Sequence, residues 1–267
     1  MARLAWLAIW CCLLPAVGRA DDGEHDAANA AAAEWGHLTG RFIYGGEPPE
    51  VRRFTAGRDR ETFVEPIADE SLVVDVENRG LANVVIYIKP KQGLEPRIHP
   101  SYEEAASEVT MTIEGGRFRP HVMLVRTGQT LLIDNHDPVS HNATIPFRKN
   151  RLSSRVIPAD REQRCEVRAQ ERLAVSVECH IHPWMNAFVL VRDSPYMATT
   201  DAEGRFRIEN LPVGEHTFVV WHERAGYLSD APFDEGARVA ERGRLTVTIA
   251  AGENDLGAAL LAPKRFK

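Results

Sequence analysis

The chain has 267 residues, of which 44% are hydrophobic and 26% charged, enough apolar material for one large or two small globular units. Lys and Arg number 32 against 38 Asp and Glu. That balance argues against nucleic acid and anionic membrane surfaces as partners, because phosphate binding needs a basic footprint.

The first twenty residues stand apart. Arg3 precedes the apolar run "LAWLAIWCCLLPAV", and "VGRA" ends in small residues before "DDGEHD". This pattern predicts a secretory signal over residues 1–20, with a retained anchor as the alternative. Loss of Arg3 and Arg19 leaves 30 basic and 38 acidic residues, a formal charge of −8. No later stretch is long and apolar enough for a helical span. The expected mature protein is secreted or periplasmic, in an oxidising compartment, without stable membrane insertion. Two cysteines remain in it, Cys165 and Cys179, and the simplest use for them is one disulfide.

Residues 21–34, polar and alanine-rich, predict a flexible leader. From Trp35 onward the texture is β. "HLTGRFIYGG", "SLVVDV", "NVVIYIK", "EVTMTIEGG", "HVMLVRTGQ" and "TLLIDN" are short apolar runs bounded by turn residues. "RCEVRAQERLAVSVEC" predicts two strands around a polar turn, and "AFVLVRD" one more. "GRFRIENL", "HTFVVWHE" and "RLTVTIAAG" follow. "SYEEAASE", residues 101–108, is the best short helix candidate. Many short strands at regular spacing predict an all-β chain built of sandwiches or barrels. A boundary is expected at Ser194-Pro195, which separates a unit over 35–193 from one over 194–262.

"TTDAEGRFRIENLPVGEHTFVVWHE" resembles the repeat of transthyretin-like or carboxypeptidase-regulatory-like β-sandwiches. The resemblance implies a stable extracellular β-domain for spacing or contact, and no chemistry. "GHLTGRFIYGGEPPE" resembles the opening strand of such modules more weakly.

The stretch "VECHIHPWMNAF", residues 177–188, carries chemistry. A thiolate, an imidazole and a thioether together suit a soft, redox-active ion such as copper. Cys179-x-x-His182-x-x-Met185 lies between two strand-like flanks, and Pro183 stiffens the turn. A fourth ligand must come from elsewhere, and "LLIDNHDPVSHNATI" offers His136 and His141. His141 is preferred, because it sits at the far end of the turn beside apolar "ATIP". His180 is expected to point away.

"FRPHVMLVRTGQTLLIDNHDPVSHNATI" together with "CHIHPWM" resembles the cupredoxins of the amicyanin and plastocyanin group, over residues 118–188. "GLANVVIYIKP", "HPSYEEA", "CHIHPWM" and "LPVGEHTFVVWHE" also resemble planctomycete secreted proteins described as methylamine-utilisation-like, which join such a domain to a carboxypeptidase-regulatory-like segment. The resemblance implies a cupredoxin Greek-key β-sandwich followed by a small transthyretin-like one. It implies one type 1 copper per chain held by His141, Cys179, His182 and Met185. Asn142 would brace the Cys sulfur or its loop, and Phe118, Gly128 and Asn135 would be structural. His182 would reach the loop surface as the electron port, with Pro183 and Trp184 as an apolar docking patch for redox protein partners. The multicopper oxidases would place a His where Glu178 stands, so no second copper centre and no enzymatic turnover are expected. Two other functions stay open: a non-redox extracellular β-sandwich binding module, and copper storage or delivery. The disulfide competes with the copper reading, because it would consume the Cys179 thiolate.

Overall fold

The structure is a computed structural model that describes residues 34–91, 95–152 and 154–267. The expected signal segment, and all of the expected leader except Glu34, lie outside the described residues. Fourteen strands carry the argument: β1 (Trp35–Tyr44), β2 (Val85–Lys89), β3 (Glu108–Ile113), β4 (Val122–Arg126), β5 (Thr130–Asn135), β6 (His141–Asn142), β7 (Arg161–Glu166), β8 (Val175–Glu178), β9 (Asn186–Arg192), β10 (Met197–Thr199), β11 (Arg205–Pro212), β12 (Gly214–His222), β13 (Arg244–Ile249) and β14 (Gly252–Leu261). The all-β expectation is met.

The four largest sheets among the described residues stack in layers. The outermost has the order β11-β1-β14, and the next runs β10-β2-β12-β13. Between them lies a core that includes Leu38, Phe42, Ile86, Phe206, Phe218 and Leu261. Strand β1 alternates strictly between buried and half-buried positions, as a strand with one face on a core must. Gly40 is one of its buried positions. A Cβ there would lie 2.8 Å from the Phe206 ring, so the glycine leaves the space which that ring fills.

The second sheet is covered on both faces. Its strand β2 sends Ile86 and Ile88 into the first core, and Val85 and Tyr87 into a smaller one with Val122, Leu190 and Val219. That smaller core joins it to the third sheet, β8-β9-β4. The fourth sheet is β7-β5-β3, extended by Phe118–Arg119. Met111, Phe118, Ile133, Val177 and Val189 fill the space between the third and fourth. Pairs β3–β5 and β4–β9 are parallel, so the chain must cross between sheets rather than turn back in hairpins.

The boundary expected at Ser194 is not where the sheets divide. Strands β1 and β2, assigned by sequence to the 35–193 unit, pair with β11, β14, β12 and β10, all of which follow residue 194. The physical reason is complementarity. The buried face of β1 meets Phe206 and Phe233, with the Phe42 ring 5.8 and 5.2 Å from them. The sandwich holding the metal-ligand motif is thus inserted between two parts of the other.

Other expectations fail locally. "SLVVDV" makes only one isolated bridge, Val74 to Leu81. Asp75 instead accepts the N–H groups of Glu77 and Asn78, a turn that competes with the ladder. "SYEEAASE" gives a single 3-10 turn at Pro100–Tyr102. Tyr102 packs on Tyr196, and its hydroxyl donates to the Glu209 carbonyl, so tertiary contacts hold this segment where a helix of two turns could not sustain itself. Strand β14 was not foreseen, because "GENDLGAALL" has little β propensity; parallel pairing with β1 holds it.

Candidate metal centre

The centre lies at one end of the inserted sandwich. Strands β8 and β9 form a hairpin with Glu178 opposite Asn186, and residues 179–185 are its loop. Within the loop the Met185 N–H donates to the His182 carbonyl at 2.9 Å, and the Cys179 N–H to the Met185 carbonyl at 3.2 Å. These bonds curl the loop round its own side chains. His141 arrives from β6, which follows the turn after β5. Asn135 shapes that turn: its Nδ2 donates to the carbonyls of Val139, Ile157 and Pro158, and its Oδ1 accepts the Asp137 N–H.

His141, Cys179, His182 and Met185 are all buried. The ligand atoms of the first three lie within 4.8 Å of one another. His141 Nδ1 and His182 Nδ1 are 3.0 Å apart, and the Cys179 Sγ is 3.9 and 4.0 Å from them. A triangle of those sides has a circumscribed circle of radius about 2.1 Å, close to the metal–imidazole and metal–thiolate bond lengths of about 2.0–2.3 Å known for zinc. These three residues would therefore be close enough together to hold one ion. Two imidazole lone pairs this close also need a proton or a cation between them. Met185 is buried in the same apolar cluster as Cys179. The donor set of two His, one Cys and a Met fits copper in a trigonal arrangement better than structural zinc, which takes four His or Cys ligands.

Each imidazole is held from behind by a carboxylate. His141 Nε2–H donates to Asp137 Oδ2 at 3.0 Å, and His182 Nε2–H to Asp59 Oδ2 at 2.8 Å. Both rings are thereby oriented with Nδ1 toward the sulfur. Asp137 is fixed in turn by the N–H groups of Gly115 and Gly116. Burial would raise its pKa, but the bonds from His141 and these two amides hold the carboxyl below its usual range.

Burial also opposes charge on Cys179. Bonds from His141 and from backbone N–H groups, His182 among them, overcome it and hold the thiol below the ordinary thiol range, where it is closer to a ligating thiolate. The His182 N–H lies 3.4 Å from that sulfur. Burial would lower His141, but its bonds to Asp137 and Cys179 raise it. His182 is lowered, first by burial and then by the charge of His141, against the pull of Asp59.

Asn142 sits beside the sulfur. Its Oδ1 lies 3.5 Å from Cys179 Sγ and accepts the His180 N–H at 2.9 Å, while its Nδ2 donates to Thr144 and Ser154. His180 is exposed, and so is His136, whose Nε2 bonds Asp134. Cys165 and Cys179 are both free, so they form no disulfide. Cys165 is buried, and desolvation raises its pKa.

The expected surface port is corrected. His182 has 0% of its surface exposed. Phe63 covers it edge-on at 5.4 Å, and Trp184 lies 5.0 Å from it. Pro183 is exposed, but Trp184 is half-buried and donates its indole N–H to the Gly116 carbonyl. Sequence reasoning missed Asp59 and Phe63, which lie in a charged segment without periodicity. Asp137 was more accessible, because its i, i+4 spacing to His141 is visible in "DPVSH".

No protein-family model and no curated protein sequence matches the chain. Among solved structures, an amicyanin variant in its oxidised state is 17% identical, covering 34% of this chain and 88% of its own, with a TM-score of 0.29. A purple cupredoxin from Nitrosopumilus maritimus is 18% identical, covering 31% of this chain and 98% of its own, with a TM-score of 0.27. A Cu(I) form of another amicyanin variant covers 41% of this chain at 16% identity and a TM-score of 0.30. Among the described residues no helix is long and apolar enough to cross a membrane.

Proposed function

We propose that the protein is a secreted or periplasmic one-electron carrier with a single type 1 copper bound by His141, Cys179, His182 and Met185. The observation that carries this is the buried triangle of two Nδ1 atoms and one Sγ, small enough for one ion to bind all three. Copper there would supply the Cu(I)/Cu(II) couple. The chain's own residues hold the two imidazoles in one tautomer, offer the thiolate and keep water away, so little rearrangement accompanies gain or loss of an electron. Asn142 ties the Cys179 loop to β6. No substrate turnover is proposed. The partner is a redox protein, which would approach near exposed Pro183. We assign the inserted sandwich to the cupredoxin type, and the other to a transthyretin-like scaffold.

Copper loading of the metal-free protein followed by a visible spectrum tests this. An intense thiolate-to-copper band at one copper per chain is expected. A colourless copper complex would favour storage or delivery, and no copper uptake would favour a non-redox binding module.

A further inference from the structure

Residues 53–68 belong to neither sandwich. Arg53–Phe54 pairs with Ile67–Ala68, and the chain between them reaches over the end of the inserted sandwich. Ala56, Phe63 and Ile67 pack there with Val139 and Trp184. At the tip, Asp59 adopts a φ of +53°, and its carbonyl accepts the N–H groups of Thr62 and Phe63 at 3.0 Å each. This tight turn aims the carboxylate inward, where Oδ2 meets His182 Nε2 at 2.8 Å. The Asp59 side chain keeps about a third of its surface exposed, while His182 keeps none.

On the electron-carrier reading above, we propose that Asp59 is a positioning residue for the metal centre: it holds His182 with Nδ1 toward the ion and lends the ligand its negative charge, while Phe63 and Trp184 close the ring edge from solvent. The segment comes from the connection between β1 and β2, so a connection between two strands of the other sandwich supplies a part of this centre. A carboxylate bonded to a ligating imidazole makes that ligand more basic. It therefore favours the oxidised ion over the reduced one.

Two substitutions separate charge from position. Asp59→Asn keeps a side-chain acceptor and tolerates the positive φ, but removes the charge. It should make the equilibrium constant for reduction about tenfold larger, about 59 mV for one electron, with the thiolate band retained. Asp59→Ala removes the acceptor as well. Loss of copper to a chelator should then be about 10–100-fold faster. Nitrogen-15 NMR of the metal-free protein gives a readout independent of the metal. The His182 ring should carry its proton on Nε2 in the wild type and in Asp59→Asn, with faster exchange of that proton in Asp59→Ala. As a control, Glu61→Gln removes an exposed negative charge two residues away and should move the potential less than Asp59→Asn does.

A wild-type ring protonated on Nδ1 alone would overturn the proposal. So would a blue wild type whose potential is unmoved by Asp59→Asn, an outcome that leaves the electron-carrier reading intact. A wild type that takes up no copper would overturn that reading itself, and this role with it.

Discussion

The two sandwiches share an architecture and differ in how their cores end. One buries a mainly apolar core, with Phe42 packed on Phe206 and Phe233, Leu38 and Leu261 closing the layers, and the His222 imidazole edge-on to Phe266. The other is apolar along the sheets, but at one end it buries two imidazoles and a thiol. Apolar burial stabilises by about 25 cal/mol per Å² wherever it occurs and asks nothing of its neighbours' direction. A buried imidazole costs stability unless each nitrogen has a partner. That cost is met by Asp137, Asn142 and the loop amides of the inserted sandwich, and by Asp59 from the segment 53–68. The first region is therefore expected to tolerate apolar exchange, whereas the second depends on particular atoms.

The sharpest way to break the contrast is Cys179→Ser. On the copper reading the intense visible band disappears completely, while unfolding of the metal-free protein shifts by only about 1 kcal/mol, since a hydroxyl can keep a hydrogen bond in place of the thiol. A band that survives the substitution would remove Cys179 from the centre.

Phe42→Ala is the mirror experiment. Phe42 is fully buried, and truncating such a ring costs about 3–5 kcal/mol. Denaturant unfolding should show that loss, with the copper spectrum of the folded fraction unchanged. A spectral change as large as that of Cys179→Ser would mean that the two regions are not separable in the way their cores suggest.

How much of this was legible in sequence follows the same division. Strands β1, β3, β5, β9 and β12 were readable because their apolar residues alternate or cluster between turn residues. The four-residue constellation was readable too, because three of its members share one short loop. Strand β14 was not, since Gly, Asn and Asp have low β propensity and its place depends on β1, more than two hundred residues earlier. The partnership of β1 and β2 with the later strands was hidden for a related reason. Apolar faces show that a strand needs a core, but not which core. Asp59 was least visible of all: an acidic residue in a charged loop signals solvent, and only the tertiary path of residues 53–68 turns it toward His182.

A test of intermediate size lies inside the first region. His222 on β12 is fully buried, and burial, followed by the charges of His121 and Arg224, lowers its pKa from 6.5 to about 3. Its Nδ1 accepts the Arg224 N–H. The folded form thus binds fewer protons than the unfolded one between these values. The contribution to stability is present above pH 6.5 and is lost as pH falls toward 3. At pH 5 the loss is about 2 kcal/mol, at about 1.36 kcal/mol per pH unit. His222→Gln should flatten this slope in denaturant titrations of the metal-free protein at pH 7 and pH 5. An unchanged slope would mean that other groups carry the acid sensitivity.

The smallest effect is expected at His136, and it discriminates between two histidines five residues apart. His136 lies in the turn that follows β5 and His141 opens β6 just beyond it, and both pair with an aspartate, His136 with Asp134 at 2.7 Å and His141 with Asp137 at 3.0 Å. The difference is environment. The His136 side chain is 53% exposed and His141 is fully buried, so solvent screens the first pair and not the second. His136→Ala should therefore change stability by less than about 0.5 kcal/mol and leave copper uptake and the visible band as they were. His141→Ala removes one corner of the ligand triangle and should abolish the band. If His136→Ala abolished it instead, the turn after β5 would have to present its other imidazole, and the geometry of Asn135, Asp137 and His141 would have no part in holding the ion.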